Sequence, residues 1–256
     1  MIDGGIKRIR PIVYMKQLSR RSASVNNKGF KMKHFIIALF LLGLQGLTGQ
    51  GNKVTVSLDA FKELKGSDGL SINLIKSTEN KAVITGENTD KVVIVNSDGI
   101  LKIRMQIGKI FSGYRTFIDV HYNGKLIVID VNEDARITCK ATVKQDVLEL
   151  KAQEGGELVV AAVVEQMLIK AVSGGVIKAT GSSDFQDVQI NTGGVYEGKD
   201  FKTKFSTVNV NAGSRAEINA KDYVKASVKA GGEVLIYGNP TKVDEKTVFG
   251  GSITRM

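Results

Sequence analysis

A pair of glycines returns about every nineteen residues through the second half of this chain. It occurs at Gly155-Gly156, Gly174-Gly175, Gly193-Gly194, Gly213-Ser214 and Gly231-Gly232, with first-Gly spacings of 19, 19, 20 and 18 residues. Alignment on the first Gly puts Leu150, Ile169, Val188, Val208 and Ala226 in one column, five residues upstream. Ala152, Ala171, Ile190, Val210 and Val228 form a second column, and Leu158, Ile177, Tyr196, Ala216 and Val234 a third, beyond the glycines. The fourth holds Val160, Ala179, Gly198, Ile218 and Ile236. Residues between the columns, such as Lys151, Lys170, Gln189, Asn209 and Ser227, are mostly polar. Alternation with period two is the pattern of a strand with one buried face. Each repeat therefore reads as strand, Gly corner, strand and return segment.

Like positions recurring coil after coil describe an all-β fold, a parallel β-solenoid with coils of about 19 residues. A single coil buries too few side chains to offset the ordering of its backbone, so neighbours must supply inter-coil hydrogen bonds and a shared core. Extending the register upstream places Asp134 at a corner, with Ile129 and Val131 before it and Ile137 and Cys139 after it. Farther upstream, Val54–Leu58, Leu70–Ile75, Ala82–Thr85, Val92–Asn96 and Leu101–Ile107 are strand-like but less regular. Gly66-Ser67-Asp68-Gly69, Thr78-Glu79-Asn80 and Ser97-Asp98-Gly99 separate them as hairpin or corner signals. This part reads as the atypical terminal coils of a solenoid. Ala161–Ile169 is the best amphipathic-helix candidate, and the repeat register explains it better. No linker interrupts the pattern, so 50–256 is read as one domain.

The N-terminus carries a different message. Lys31 and Lys33 precede the apolar run Phe35–Leu44, and small and polar residues follow to Gln50. A charged start, a short apolar core and a small-residue exit constitute a secretory signal over 32–49. The run is too short for a membrane span, which needs roughly 20 apolar residues. Residues 1–31 are aperiodic and read as a mis-assigned or disordered extension ahead of a true start at Met32. Residues 1–49 hold nine Lys/Arg and one acid, leaving 27 basic and 25 acidic residues beyond them. The formal charge of +10 thus belongs mainly to the leader. That removes the electrostatic argument for a nucleic-acid partner, which requires a basic face on the folded domain.

Phe61-Lys62-Glu63-Leu64, the Gly-pair repeats, Gly238-Asn239-Pro240 and Phe249-Gly250-Gly251-Ser252-Ile253 together resemble the auto-transporter adhesin head GIN domain family. The likeness runs from about Phe61 to Ile253. It implies a right-handed parallel β-helix in the Gram-negative envelope, with an adhesive role and no catalytic residues to carry over. Ser214 in place of a second Gly, and coil lengths that vary by a residue, depart from strict repetition.

Chemistry-bearing residues are scarce beyond the leader. His121 and Cys139 are the only His and Cys there. Cys139 falls in an inward column and reads as a small buried hydrophobe; His121 reads as a solvated strand residue, and one His leaves a zinc site short of ligands. Gly193, Gly198 and Lys199 match the spacing of a phosphate loop, but Asp200 stands where Ser or Thr should follow and no helix is expected there. Glu133-Asp134 and Asp184/Asp187 are read as solvated corners, with a calcium site or a polysaccharide-cleaving pair as the alternatives. The stretch Lys199-Asp200-Phe201-Lys202-Thr203-Lys204-Phe205 is either a solvated face or an aromatic and basic ligand strip.

These readings assign no catalytic, cofactor-binding or metal-binding residue and no cofactor. They describe an exported, non-enzymatic adhesin-like module, periplasmic or on the cell surface, that contacts a glycan or protein. A β-helical carbohydrate-active enzyme and a self-associating structural envelope protein are the alternatives. N-terminal sequencing of the protein exported by its host is expected to begin at Gln50. A mature chain that keeps Phe35–Leu44 would overturn the signal assignment.

Overall fold

Two consecutive residues in left-handed backbone make each corner of this protein. The computed structural model describes residues 53–110 and 112–256; the proposed signal and upstream extension lie outside the described residues. Positive φ recurs at Asp68-Gly69, Glu133-Asp134, Glu154-Gly155, Ser173-Gly174, Thr192-Gly193, Ala212-Gly213, Ala230-Gly231 and Phe249-Gly250. Only the first glycine of each of the five original pairs has this conformation, whereas at Gly250-Gly251 both glycines have positive φ. The second glycine answers a different need. A Cβ on Gly194 would lie 2.6 Å from the carbonyl oxygen of Ala171, in the coil below. One glycine supplies the turn and the other lets two coils approach.

The corners are themselves hydrogen-bonded into a line. Gly69 N–H donates to the Glu133 carbonyl at 2.8 Å, Asp134 to Glu154 at 3.0 Å, Gly155 to Ser173 at 3.2 Å, Gly174 to Thr192 at 3.2 Å and Gly193 to Ala212 at 3.1 Å. Gly213 and Gly231 continue the series to Ala230 and Gly250. Around this line the strands stack in parallel. Before the corner lie β2 (Glu63–Gly66), β8 (Val128–Val131) and β10 (Val143–Ala152). After it lie β3 (Ser71–Lys76) and β9 (Arg136–Cys139). Each of β11 (Glu157–Ala171), β12 (Val176–Ile190), β13 (Val195–Asn211) and β14 (Arg215–Lys229) bends through a post-corner face, a short return segment and the next pre-corner face. The stack ends at β15 (Gly232–Tyr237), β16 (Lys242–Val248) and β17 (Gly251–Arg255).

The apolar columns are the core. Leu150 pairs with Ile169, Ile169 with Val188, Val188 with Val208 and Val208 with Ala226, and every one is buried. The other three columns are likewise buried throughout. The expected parallel β-solenoid is the observed fold, and Ala161–Ile169 is strand within β11. The 20-residue spacing is absorbed by an irregularity between Glu197 and Lys202, clear of the columns before the corner. There Gly198 faces the buried ring of Tyr196, whose atoms fill the space a Cβ would take. The Tyr196 hydroxyl accepts a hydrogen bond from Gln186 Nε2 at 2.6 Å, and Ser206 Oγ donates to Gln186 Oε1 at 3.3 Å. These three side chains form a polar link inside the apolar stack.

The N-terminal part departs from simple succession. After β3 the chain forms β4 (Lys81–Gly86), the hairpin of β5 (Val92–Ser97) and β6 (Ile100–Met105), and β7 (Thr116–Tyr122). β6 and β7 lie on one side of the first coil, while β8 and β9 lie on its other side. The coil begun by β2 is therefore sandwiched between segments that follow it in sequence. Antiparallel β4 and β5 close this end, with β1 (Val54–Ser57) added outside β4. The Asp98-Gly99 turn, with φ of 54° and 76°, makes the hairpin. At the opposite end the columns finish in charge: Glu245 pairs with Ala226, and Arg255 with Ile236. Arg255 Nη2 donates to Glu245 Oε1 at 2.7 Å. Charges in inward register protect a sheet edge against further strand addition.

Two substitutions separate the roles at one corner. Gly194→Ala is expected to cost about 1–3 kcal/mol by overpacking against the coil below. Thr192→Asn should gain about 1 kcal/mol, because Asn tolerates the left-handed region that a β-branched residue resists. Tyr196→Phe should cost about 1–3 kcal/mol by leaving the buried Gln186 amide without its acceptor. Urea unfolding of each purified variant measures all three.

Candidate functional site

Eight residues before each corner glycine, the chain leaves its return segment and turns onto the pre-corner face. That position reads Val147, Gln166, Phe185, Phe205, Tyr223 and Lys242, and these residues are in register from strand to strand. The next position is inward, where Leu148, Met167, Gln186, Ser206 and Val224 are buried. Alternation then forces the preceding side chain out. Phe185 and Phe205 are 54% and 39% exposed, and their rings stack with centroids 5.3 Å apart and planes 17° from parallel. Lys242 Nζ lies 5.5 Å from the centroid of Tyr223, whose hydroxyl donates to Asp244 at 2.7 Å. An aromatic ladder thus stands on the outside of three successive coils.

Beside it is a groove of about 640 Å³ over the return segments, lined by Val163, Ser182, Asp184, Lys202, Lys204 and Lys221 among others. Its floor is polar but engaged: Ser183 Oγ donates to Thr203 Oγ1 at 3.3 Å, and Thr203 Oγ1 to the Asp184 carbonyl at 3.1 Å. Lys204 Nζ is 2.8 Å from Asp184 Oδ1. The hydrogen bond it donates to this carboxylate, more than the carboxylate's charge, holds the ammonium above its ordinary pKa. Lys202 and Lys221 are exposed and form no ion pair among the described residues. Lys202, Lys204 and Lys221 line the groove with Asp184, and Asp222 also acts on Lys204, so three cations outnumber two acids and the groove is net positive.

Part of this surface was visible in sequence. In the stretch 199–205 Phe201 and Thr203 are buried and Lys202, Lys204 and Phe205 are exposed, an alternation that the solvated face and the aromatic and basic strip share. Phe185, Tyr223 and Lys221 escaped notice, although aligning one further column, eight residues before the glycine, would have shown the first two.

The remaining candidates are dispersed. Cys139 lies on β9 against the core, half-buried, and burial pushes its thiol up to about 12. His121 is on β7, opposite Lys81, between the buried Val120 and Tyr122. Gly193 is at a corner and Gly198 faces the interior, while Lys199 extends outward to within 5.1 Å of the Tyr237 ring centroid. Glu133 and Asp134 occupy a corner as expected, and Asp134 accepts a hydrogen bond from Tyr114 at 3.1 Å. Burial, followed by the contact with Asp68, raises the Glu133 carboxyl. Asp184 sits at the bend beside the groove, but Asp187 departs from the corner reading. It lies within β12, paired with Leu168 and Thr207, because its outward position belongs to the strand alternation rather than to a turn. Among the described residues no three His, Cys, Asp or Glu side chains are grouped to hold a metal ion.

Similarity to solved structures follows the fold. A "putative adhesin" from Bacteroides fragilis NCTC 9343 superposes with a TM-score of 0.74 at 14% identity, covering 80% of this chain and 96% of that one. A "putative adhesin" from Parabacteroides distasonis ATCC 8503 gives 0.64 at 18% identity, covering 81% and 98%. A "putative lipid binding protein" from the same strain gives 0.61 at 14% identity, covering 82% and 98%. At such identities the likeness concerns the fold. No curated protein matches the chain. The family model described as "Putative auto-transporter adhesin, head GIN domain" matches residues 60–240, a span that holds all but the last rung of the corner ladder, the aromatic ladder and the groove: the chain belongs to this family.

Proposed function

We propose that this protein is an exported, non-enzymatic binding module of the adhesin type, acting in the cell envelope or at the cell surface, and that the aromatic ladder and its groove form the contact face. The observation that carries this reading is the exposed stack of Phe185 on Phe205, continued by Tyr223, beside an open net-basic groove. Large aromatic side chains left in water are a cost to solubility, and contiguous exposed apolar surface marks an interaction site. Aromatic side chains also supply much of the contact energy where partners meet. Membership in an adhesin family and the likeness of solved adhesin-type folds support the same class of function.

Export rests on the signal-like run Phe35–Leu44 together with the family. No helix among the described residues is long and apolar enough to cross a membrane. The absence of catalysis is part of the proposal: Asp184, the carboxylate nearest the groove, is engaged by Lys204 rather than facing a second acid placed to share a proton. The partner is a glycan or a protein of the surface the cell meets.

The test is saturable binding to an array of glycans, matrix proteins and peptidoglycan, with a polysaccharide panel assayed in parallel for turnover. Replacing Phe185 and Phe205 together by Ser should abolish retention without lowering the thermal midpoint, since both rings are outside the core. Val147→Ser, at the far end of the same column, should leave retention unchanged. Retention of no partner, or turnover of a polysaccharide that is lost with Asp184→Asn, would overturn the proposal.

A further inference from the structure

Resting on the contact face just proposed, we infer that the groove takes an extended anionic polysaccharide, laid along the solenoid axis with its acidic groups against Lys202 and Lys221. The groove does not belong to one loop. It is lined in turn by Val163 of β11, Ser182 and Asp184 of β12, Lys202 and Lys204 of β13, and Lys221 in the return segment of β14. Adjacent parallel strands lie 4.7–4.9 Å apart, so these four strands span roughly 15 Å. A ligand aligned with that direction meets a comparable row of side chains at each strand step. The step is close to the advance of one pyranose ring along an extended glycan. A polymer therefore matches the groove better than a compact molecule does.

Charge selects among polymers. Lys204 is committed to Asp184 at 2.8 Å, whereas Lys202 and Lys221 are exposed and have no carboxylate partner among the described residues. On the post-corner face several outward cations are matched from coil to coil. Arg136 meets Glu157, Lys178 bridges Glu157 and Glu197, and Arg215 bridges Glu217 and Glu233. The groove brings two cations without such a partner, Lys202 and Lys221, together beside hydroxyl and amide groups at Ser182 and Asn219. Carboxylate or sulfate groups on a sugar chain complement two unmatched ammoniums, and the exposed stack of Phe185 on Phe205, next in sequence to the groove residues Asp184 and Lys204, offers apolar surface beside them. Complementary charge at such an open site governs which partner is chosen more than how tightly it is held.

Binding of the purified protein to polygalacturonate and heparin, against dextran and phosphatidylglycerol vesicles, tests the inference. The acidic polysaccharides should be retained, and raised salt should weaken the retention. Lys202→Gln with Lys221→Gln should weaken it about tenfold. Lys170→Gln with Lys246→Gln, at exposed lysines on the pre-corner face outside the groove, should leave it unchanged. Equal loss from both pairs, or equal capture by the vesicles, would overturn the inference by showing a general charge effect. Retention of dextran or a matrix protein that depends on Phe185 and Phe205 but not on Lys202 and Lys221 would overturn it while leaving the binding module intact. Retention of no partner at all would remove the binding module as well.

Discussion

The line of backbone hydrogen bonds through the corners is the constraint from which the rest of this structure follows. Each bond joins an amide of one left-handed pair to a carbonyl of the next, as Gly174 does to Thr192. It keeps the ladder continuous where a looser turn would leave backbone groups unpaired beside a packed core. Because like corners sit over one another, like strand positions do too. The four apolar columns become four files, and a side chain that changes size in one coil is answered locally. Tyr196 and Gly198 show the answer within a single strand: a large ring at one inward position occupies the space vacated at the next.

The same constraint orders the outer surface. A column that must point outward does so in every coil, so isolated residues in the sequence become rows in space. On the post-corner face the rows carry alternating charges that neutralise one another, as along Arg136, Glu157, Lys178 and Glu197. Beside the return segments they carry Phe185, Phe205 and Tyr223 near Lys202 and Lys221, which have no matching acid among the described residues. A solenoid builds a contact surface by repetition rather than by a loop. The ends are treated differently. Antiparallel strands cover one, and the Glu245–Arg255 pair lies across the other.

Much of this was legible before any coordinates. The column from Leu150 to Ala226 was readable because two-residue alternation and a near-constant repeat survive without a single long-range contact being known. Asp134, with neither Gly of a pair, was still placed at its corner by counting back. The aromatic ladder was half legible: Phe205 stood out beside its lysines, while Phe185 and Tyr223 looked unremarkable until their register with it was known. The interleaved N-terminus was not legible at all. Nothing local in Glu63–Gly66 distinguishes pairing with Ile100–Ile103 on one side from pairing with Val128–Val131 on the other, and the strand does both.

By itself, the sequence determined the all-β class, the coil length, the corner positions and the inward columns. Each of these depends on backbone preference and polarity within a few residues. Tertiary structure alone decided the stacking order of the first coils, the role of the second corner glycine and the assembly of the groove. Those depend on which segments touch across tens of residues: Gly194 must be small because of Ala171, and Lys221 is unmatched because of what its coil neighbours lack. Local pattern specifies a coil, and contact between coils specifies the surface.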